Sequence, residues 1–168
     1  MFYTIDRITP EDAKDLLEYF KLIGGESDNL SFGKEGLPFT IEQEQKYIVD
    51  NINFIENALF IAKKDGEIIG NSSFSSLSGR YSHRGEISVT VLKQYWNCGV
   101  GSELIKQAIK FAKECSKIEV ISLEVRSDNF SAIALYRKFG FEQIGHYRKF
   151  MKINEAYYDA DLMNLYIK

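Results

Sequence analysis

The chain has 168 residues, 45% of them hydrophobic and 27% charged, which is enough apolar material for a buried core and excludes an intrinsically disordered polymer. Its net charge of −3 argues against a nucleic-acid binder, which carries a basic surplus. No apolar run approaches the ~18 residues of a membrane helix, and Cys98 and Cys115, without CxxC spacing or a neighbouring histidine pair, make no zinc site. The start, Met1-Phe2-Tyr3-Thr4, lacks the basic and apolar regions of a secretory leader, so a cytoplasmic setting is expected.

In chain order, Phe2 to Ile8 reads as a strand. Thr9-Pro10 with Asp12 opens a helix carrying Ala13, Leu16, Leu17, Phe20 and Ile23 at helical spacing, and Gly24-Gly25 should end it. Residues 24–39 form a long irregular loop, of the kind that often binds ligands. Thr40 with Gln43 is a capping box for a second helix expected to bury Ile41, Ile48, Ile52 and Ile55. Ala58–Lys63 and Glu67–Ser75 are strands of a hairpin turning at Lys64-Asp65-Gly66. Glu86–Val91 is a strand, and Val100–Ser116 is a helix with the stripe Val100, Leu104, Ala108, Phe111/Ala112 and Cys115. Val120–Val125 is a strand, Asn129–Phe139 a helix stopped by Gly140, and 141–167 a final hairpin around Asn154-Glu155. The order is βααβββαβαββ in a single domain, 1–168.

The junction after Val91 carries chemistry. A strand enters Trp96-Asn97-Cys98-Gly99-Val100-Gly101-Ser102, and a helix opens at the Gly-x-Gly. A helix N-terminus has N–H groups without intrahelical partners and a partial positive charge, so phosphates settle there, and glycines permit close backbone approach. Leu104 stands where a dinucleotide fingerprint needs its third glycine, and Ser102-Glu103 replaces the Lys-Ser/Thr of a nucleotide-triphosphate loop. A tight turn without a ligand is the remaining bland alternative.

Residues 120–141 add Leu123-x-Val125, Asn129, Ala132, Leu135-Tyr136, Lys138 and Gly140-Phe141. With 96–101 as a form of the Arg/Gln-x-x-Gly-x-Gly/Ala acetyl-CoA loop, the chain resembles the GCN5-related N-acetyltransferase (GNAT) superfamily from about Ala58 onward. Trp at the loop's first position departs from the usual Arg or Gln and is similar to the branch that includes ribosomal-protein N-terminal acetyltransferases. The resemblance implies an α+β, three-layer fold, with a mixed, mostly antiparallel sheet of about seven strands flanked by four helices. It implies acetyl-CoA as cosubstrate, no metal, and a gap between two splayed strands that admits the pantetheine arm. The cofactor-binding residues it implies are Val89, Val91, Trp96, Asn97, Cys98, Gly99, Val100, Gly101, Ser102, Asn129, Ala132 and Tyr136.

Direct acetyl transfer to an amine needs a base for the amine, an N–H donor for the oxyanion and a proton donor for the leaving thiolate. The resemblance gives Tyr136 as the acid; a core aromatic is the alternative, since Ala132, Leu135, Tyr136 and Phe139 make a helical stripe. It gives Glu86 as the base, against a solvated carboxylate or a salt bridge to Arg84 or Lys93. His83 is a second candidate for that role, and Glu124 reads as structural. Asn129 is a pantetheine contact, a helix cap, or both. Glu26, Asp28 and Asn29 sit in the loop bordering the acceptor pocket, where acidic groups suit a cationic amine; an Asx-type turn is the alternative. The expected partner is a small-molecule amine or a peptide N-terminus, with a homodimer allowed and neither nucleic acid nor membrane. The expected activity is N-acetylation of a small primary amine; the alternatives are a protein N-terminal acetyltransferase and a non-catalytic acyl-CoA sensor.

Overall fold

The computed structural model describes residues 2–168. Its strands are β1 (Thr4–Arg7), β2 (Ala58–Lys64), β3 (Glu67–Ser76), β4 (Arg84–Val91), β5 (Val120–Arg126), β6 (Glu142–Ile153) and β7 (Ala156–Tyr166), in one sheet ordered β1-β2-β3-β4-β5-β7-β6. The helices are α1 (Ala13–Glu26), α2 (Ile41–Asn53), α3 (Val100–Glu114) and α4 (Phe130–Lys138). This is the order read from the sequence, with three added 3₁₀ turns at Pro10–Asp12, Gly79–Tyr81 and Lys93–Tyr95. Both expected hairpins form. Their central residues have positive φ, 53° and 88° at Asp65 and Gly66 and 45° and 66° at Asn154 and Glu155, which matches the twist of the paired strands.

β2 is buried on both faces, and its alternate residues serve two separate cores. Phe60 and Ala62 pack with Leu104, Ile105, Ala108 and Ala112 of α3 and with Ile133 and Tyr136 of α4. Leu59 and Ile61 pack on the opposite face with Leu16, Tyr19 and Ile23 of α1 and Ile48 of α2. The result is a helix–sheet–helix sandwich. Farther along the sheet the α1/α2 face turns polar. Ser73 pairs with Leu59, Ser88 with Ser73, and Glu86 with Ser122, so these side chains share a face that the helices leave uncovered.

Two expectations are corrected. α1 does not end at Gly24-Gly25 but runs to Glu26. Gly24 serves packing instead of termination: a Cβ there would lie 2.0 Å from the Gly33 carbonyl oxygen, so the following segment folds back against the helix only because that side chain is missing. Of the four isoleucines expected inside, only Ile48 is buried; Ile41 and Ile52 are exposed on α2, and Ile55 is exposed beyond its end at Asn53. The helix touches the core along a narrow line, and the residue one turn before Ile48 on that line is Glu44, which is 1% exposed.

β4 and β5 are the sole parallel neighbours among the described strands. Their pairing covers Arg84–Val120, Gly85–Ile121 and Glu86–Ser122 and then stops. β4 continues to Val91 beside β3, and β5 continues to Arg126 beside β7, so the sheet opens at its centre.

Candidate active site

The opening leaves one edge of β4 bare. Leu92 N–H donates to Ile69 O at 3.0 Å, which fixes the alternation of the antiparallel β3–β4 ladder. Thr90 and Ser88 therefore turn their peptide groups toward β3, and Val89 and Val91 turn theirs toward the gap. Trp96 confirms the direction: its indole Nε1–H donates to Val91 O at 2.7 Å. The departure from Arg or Gln at this loop position thus has a structural use, closing a carbonyl at the end of the bare edge and leaving the Val91 N–H open.

Just beyond, Asn97 and Gly99 take positive φ of 59° and 87°, and α3 begins with no side-chain cap. The first intrahelical bond runs from Glu103 N–H to Gly99 O, so the N–H groups of Val100, Gly101 and Ser102 have no partner within the helix. A cavity of 260 Å³ meets this turn, walled by Val89, Val91, Trp96, Asn97, Gly99, Gly101, Ser102, Asn129, Ala132 and Tyr136. A second cavity, of 810 Å³, lies over the polar sheet face and includes Glu86, Ser88, Ser122, Glu124 and Glu44. The two share Asn29, Leu30, Val89, Thr90, Asn129, Ala132 and Tyr136.

Tyr136 stands at that shared wall. Its ring packs edge-on against Phe141, 5.7 Å away, so the core-aromatic reading is right for the ring. Burial pushes the phenol up to about 12, with no hydrogen bond to offset it. Asn129 caps a helix and borders the cavities. Its Oδ1 accepts from Ala132 N–H at 3.2 Å as the cap of α4, and the residue lines both cavities, with its amide N–H₂ uncommitted by that bond.

Glu86 lines the second cavity and is exposed. Arg84 donates to Ser122 Oγ at 3.0 Å instead of closing a salt bridge on Glu86. Glu124, which reads as structural in sequence, lies in the same cavity, and burial, then the charge of Glu86, raise its carboxyl above the usual range. A signal for it existed: Ser122 and Glu124 alternate with Leu123 and Val125, placing both polar residues on the face that Glu86 occupies.

Of Glu26, Asp28 and Asn29, only Asn29 lines the cavities. Glu26 instead accepts from Lys93 N–H at 2.7 Å, tying the end of α1 to the turn after β4. Asp28 contributes its backbone carbonyl, which accepts from Arg126 at 2.8 Å. Arg126 is also held by both carboxylate oxygens of Asp128 and stacks on Tyr158 at 3.9 Å, so it clamps the loop and not a ligand. Cys98 is exposed outside both cavities, and the Val100 side chain is core. His83 lies outside both as well.

Residues 30–141 match the model of the acetyltransferase (GNAT) family. The chain belongs to the GNAT acetyltransferase family. It is similar to an N-alpha-acetyltransferase of Sulfurisphaera tokodaii, 32% identical over 126 residues covering 70% of this chain and 74% of the relative. It is also similar to an L-amino acid N-acetyltransferase of Escherichia coli, 32% identical over 61% of this chain and 64% of the relative. The solved structure of a GNAT acetyltransferase from Streptococcus pneumoniae superposes with a TM-score of 0.95 at 26% identity, over 99% of this chain and all of that one. The protein is therefore an acetyl-CoA-dependent N-acetyltransferase. The residues present suit that cosubstrate: an uncapped helix start for its phosphates, a bare strand edge for an amide-bearing arm, and Gly101, where a side chain would project toward Leu135 and Val91 across the 260 Å³ cavity. No described helix is long and apolar enough to cross a membrane.

Proposed function

We propose that this GNAT enzyme acetylates the primary amine of a small molecule by direct attack within a ternary complex. The observation that carries the reading is the position of Tyr136, a buried phenol at the wall shared by the phosphate-side and acceptor-side cavities. Bound acetyl-CoA supplies an activated acetyl thioester. Val91 N–H, free at the bare edge, donates to the developing oxyanion. Glu86, with Glu124 beside it, takes the proton that the substrate's ammonium must lose before the neutral amine attacks. Tyr136 Oη donates a proton to the departing sulfur; a phenol with its pKa near 12 is fully protonated at neutral pH and so stands ready to do so.

A small acceptor is favoured over a peptide by the acceptor cavity, whose 810 Å³ falls within the ordinary range for small-molecule sites. The name of the Sulfurisphaera relative supports the peptide alternative. Release of free thiol from acetyl-CoA, followed against amines, amino acids and short peptides with free N-termini, separates them. The expected result is turnover of small amines with kcat/KM at least about tenfold above any peptide; the reverse ranking would replace this reading with N-terminal acetylation.

A further inference from the structure

The acceptor cavity contains a carboxylate that the transfer chemistry does not use. Glu44, in the first turn of α2, is 1% exposed, and its Oε2 is buried without a hydrogen-bond partner. Among the described residues it is the one buried side-chain polar atom in that condition. Buried polar groups are almost always satisfied, and an unpaired buried carboxylate is costly to keep. Glu44 nonetheless lines the 810 Å³ cavity, alongside Leu16, Leu59 and Asn71.

Its place in the fold gives the missing partner a position. Leu59 and Asn71 belong to β2 and β3, whereas the reacting nitrogen must sit at the β4–β5 gap near Tyr136 and Glu86. Neighbouring strands lie about 4.8 Å apart, so Glu44 is roughly two strand spacings, on the order of 10 Å, from the reaction point. Phe20, Phe32, Leu37 and Phe39 add apolar wall to the same cavity. The two cationic side chains on its wall, Arg84 and Arg126, are engaged by Ser122 and by Asp128 with the Asp28 carbonyl.

We infer that Glu44 is the anchor for a second ammonium group on the acceptor, so that the preferred substrates are linear aliphatic diamines or polyamines. A cavity with carboxylates toward both ends and apolar wall between them complements a molecule with two ammonium groups joined by methylenes. An amino acid fits less well, because its carboxylate would sit beside the like charges of Glu86 and Glu124. Burial also raises the Glu44 carboxyl above its usual range, and an entering ammonium would restore its ionised form.

This inference rests on the small-amine reading above, and one experiment separates the two. Thiol release is measured with 1,6-diaminohexane and with hexylamine, which share length and reacting group, for the wild-type protein and for Glu44→Gln. Thermal unfolding is recorded with and without each amine. The wild-type protein should show at least about tenfold higher kcat/KM for the diamine, through a lower KM, and the diamine alone should raise its Tm. In Glu44→Gln the diamine advantage and its Tm shift should vanish, the KM for acetyl-CoA should hold, and the ligand-free Tm should stay level or rise because the buried charge is gone. Equal use of both amines by the wild-type protein, or a diamine preference that survives Glu44→Gln, would overturn the anchor while leaving small-amine acetylation standing. Turnover of peptides with neither amine accepted would overturn both. The wild-type comparison is decisive by itself if the variant fails to fold.

Discussion

At the scale of single residues, the proposed chemistry divides between one group that keeps its proton and two that share a negative field. Tyr136 is held protonated by burial, which makes it a donor and not a base. Tyr136→Phe keeps the ring and its edge-on contact with Phe141 and removes only the hydroxyl. We expect kcat to fall by roughly 10²–10⁴, the usual worth of general acid–base help, with the KM for acetyl-CoA little changed. A fall under about threefold would reduce Tyr136 to a packing residue. In the proposed mechanism Glu86 and Glu124 act at the other proton. The raised pKa of Glu124 means that it binds a proton at higher pH than an ordinary carboxylate, so the acid limb of kcat/KM should lie above the usual carboxylate range of about 4. Glu86→Gln removes the base, so the rate at pH 7 should fall about tenfold or more and recover as pH rises toward the amine's own pKa near 10.4. Wild-type pH profiles in both Glu86→Gln and Glu124→Gln would remove the carboxylates from the mechanism.

At the scale of elements, the start of α3 separates a residue needed for conformation from one needed for ligand. Gly99 has a φ of 87°, so Gly99→Ala should cost about 1–2 kcal/mol of stability through left-handed strain. Gly101 has no such φ, and a Cβ there meets Leu135 at 3.4 Å and Val91 at 3.6 Å, both ordinary contacts. Gly101→Val should therefore fold, yet weaken acetyl-CoA binding at least about tenfold by calorimetry, because its branches enter the cradle. Unchanged affinity in the folded variant would exclude the cradle. The start of the first helix offers a stability test. Burial raises the Asp12 carboxyl, but hydrogen bonds from Lys63 and from Thr9 N–H and Oγ1–H outweigh it and hold the group below its usual value. A depressed carboxylate pKa contributes stability above the unfolded-state value of about 3.9 and loses it as pH falls through the folded value. Asp12→Ala should cost roughly 1–3 kcal/mol in urea unfolding at pH 7, and the deficit should shrink below pH 4.

These elements also show what the sequence could disclose. The Thr40–Gln43 capping box and both hairpin turns are local chemistry, and they form where the residues call for them. Gly24-Gly25 reads as a stop, but the Gly33 carbonyl that needs the missing side chain is a tertiary partner. The α2 stripe fails for the same reason, since which line of a helix meets the core is set by the sheet beneath it. Tyr136, Asn129 and the Gly99 loop were legible because their motifs are short and contiguous. Glu124 and Glu44 belong to a pocket assembled from nine separate helices and strands and left only faint signs: a carboxylate alternating with apolar strand residues, and a glutamate one turn before a buried isoleucine.

At the scale of the molecule, three β4–β5 pairs followed by divergence open the sheet at its centre. Had the pairing continued, Val89 and Val91 would spend their peptide groups on β5, and the two cavities would be separated by a closed sheet. The divergence lets the two cavities meet, with Tyr136 at their shared wall. Neither cysteine lines either cavity, so no thiol stands ready to carry the acetyl group between them. The central claim is that acetyl-CoA and amine occupy these cavities together and react directly. Initial rates measured while both are varied test it. Intersecting double-reciprocal lines are expected, as in a ternary complex; parallel lines, the mark of a covalent acetyl-enzyme formed and discharged in turn, would contradict direct transfer.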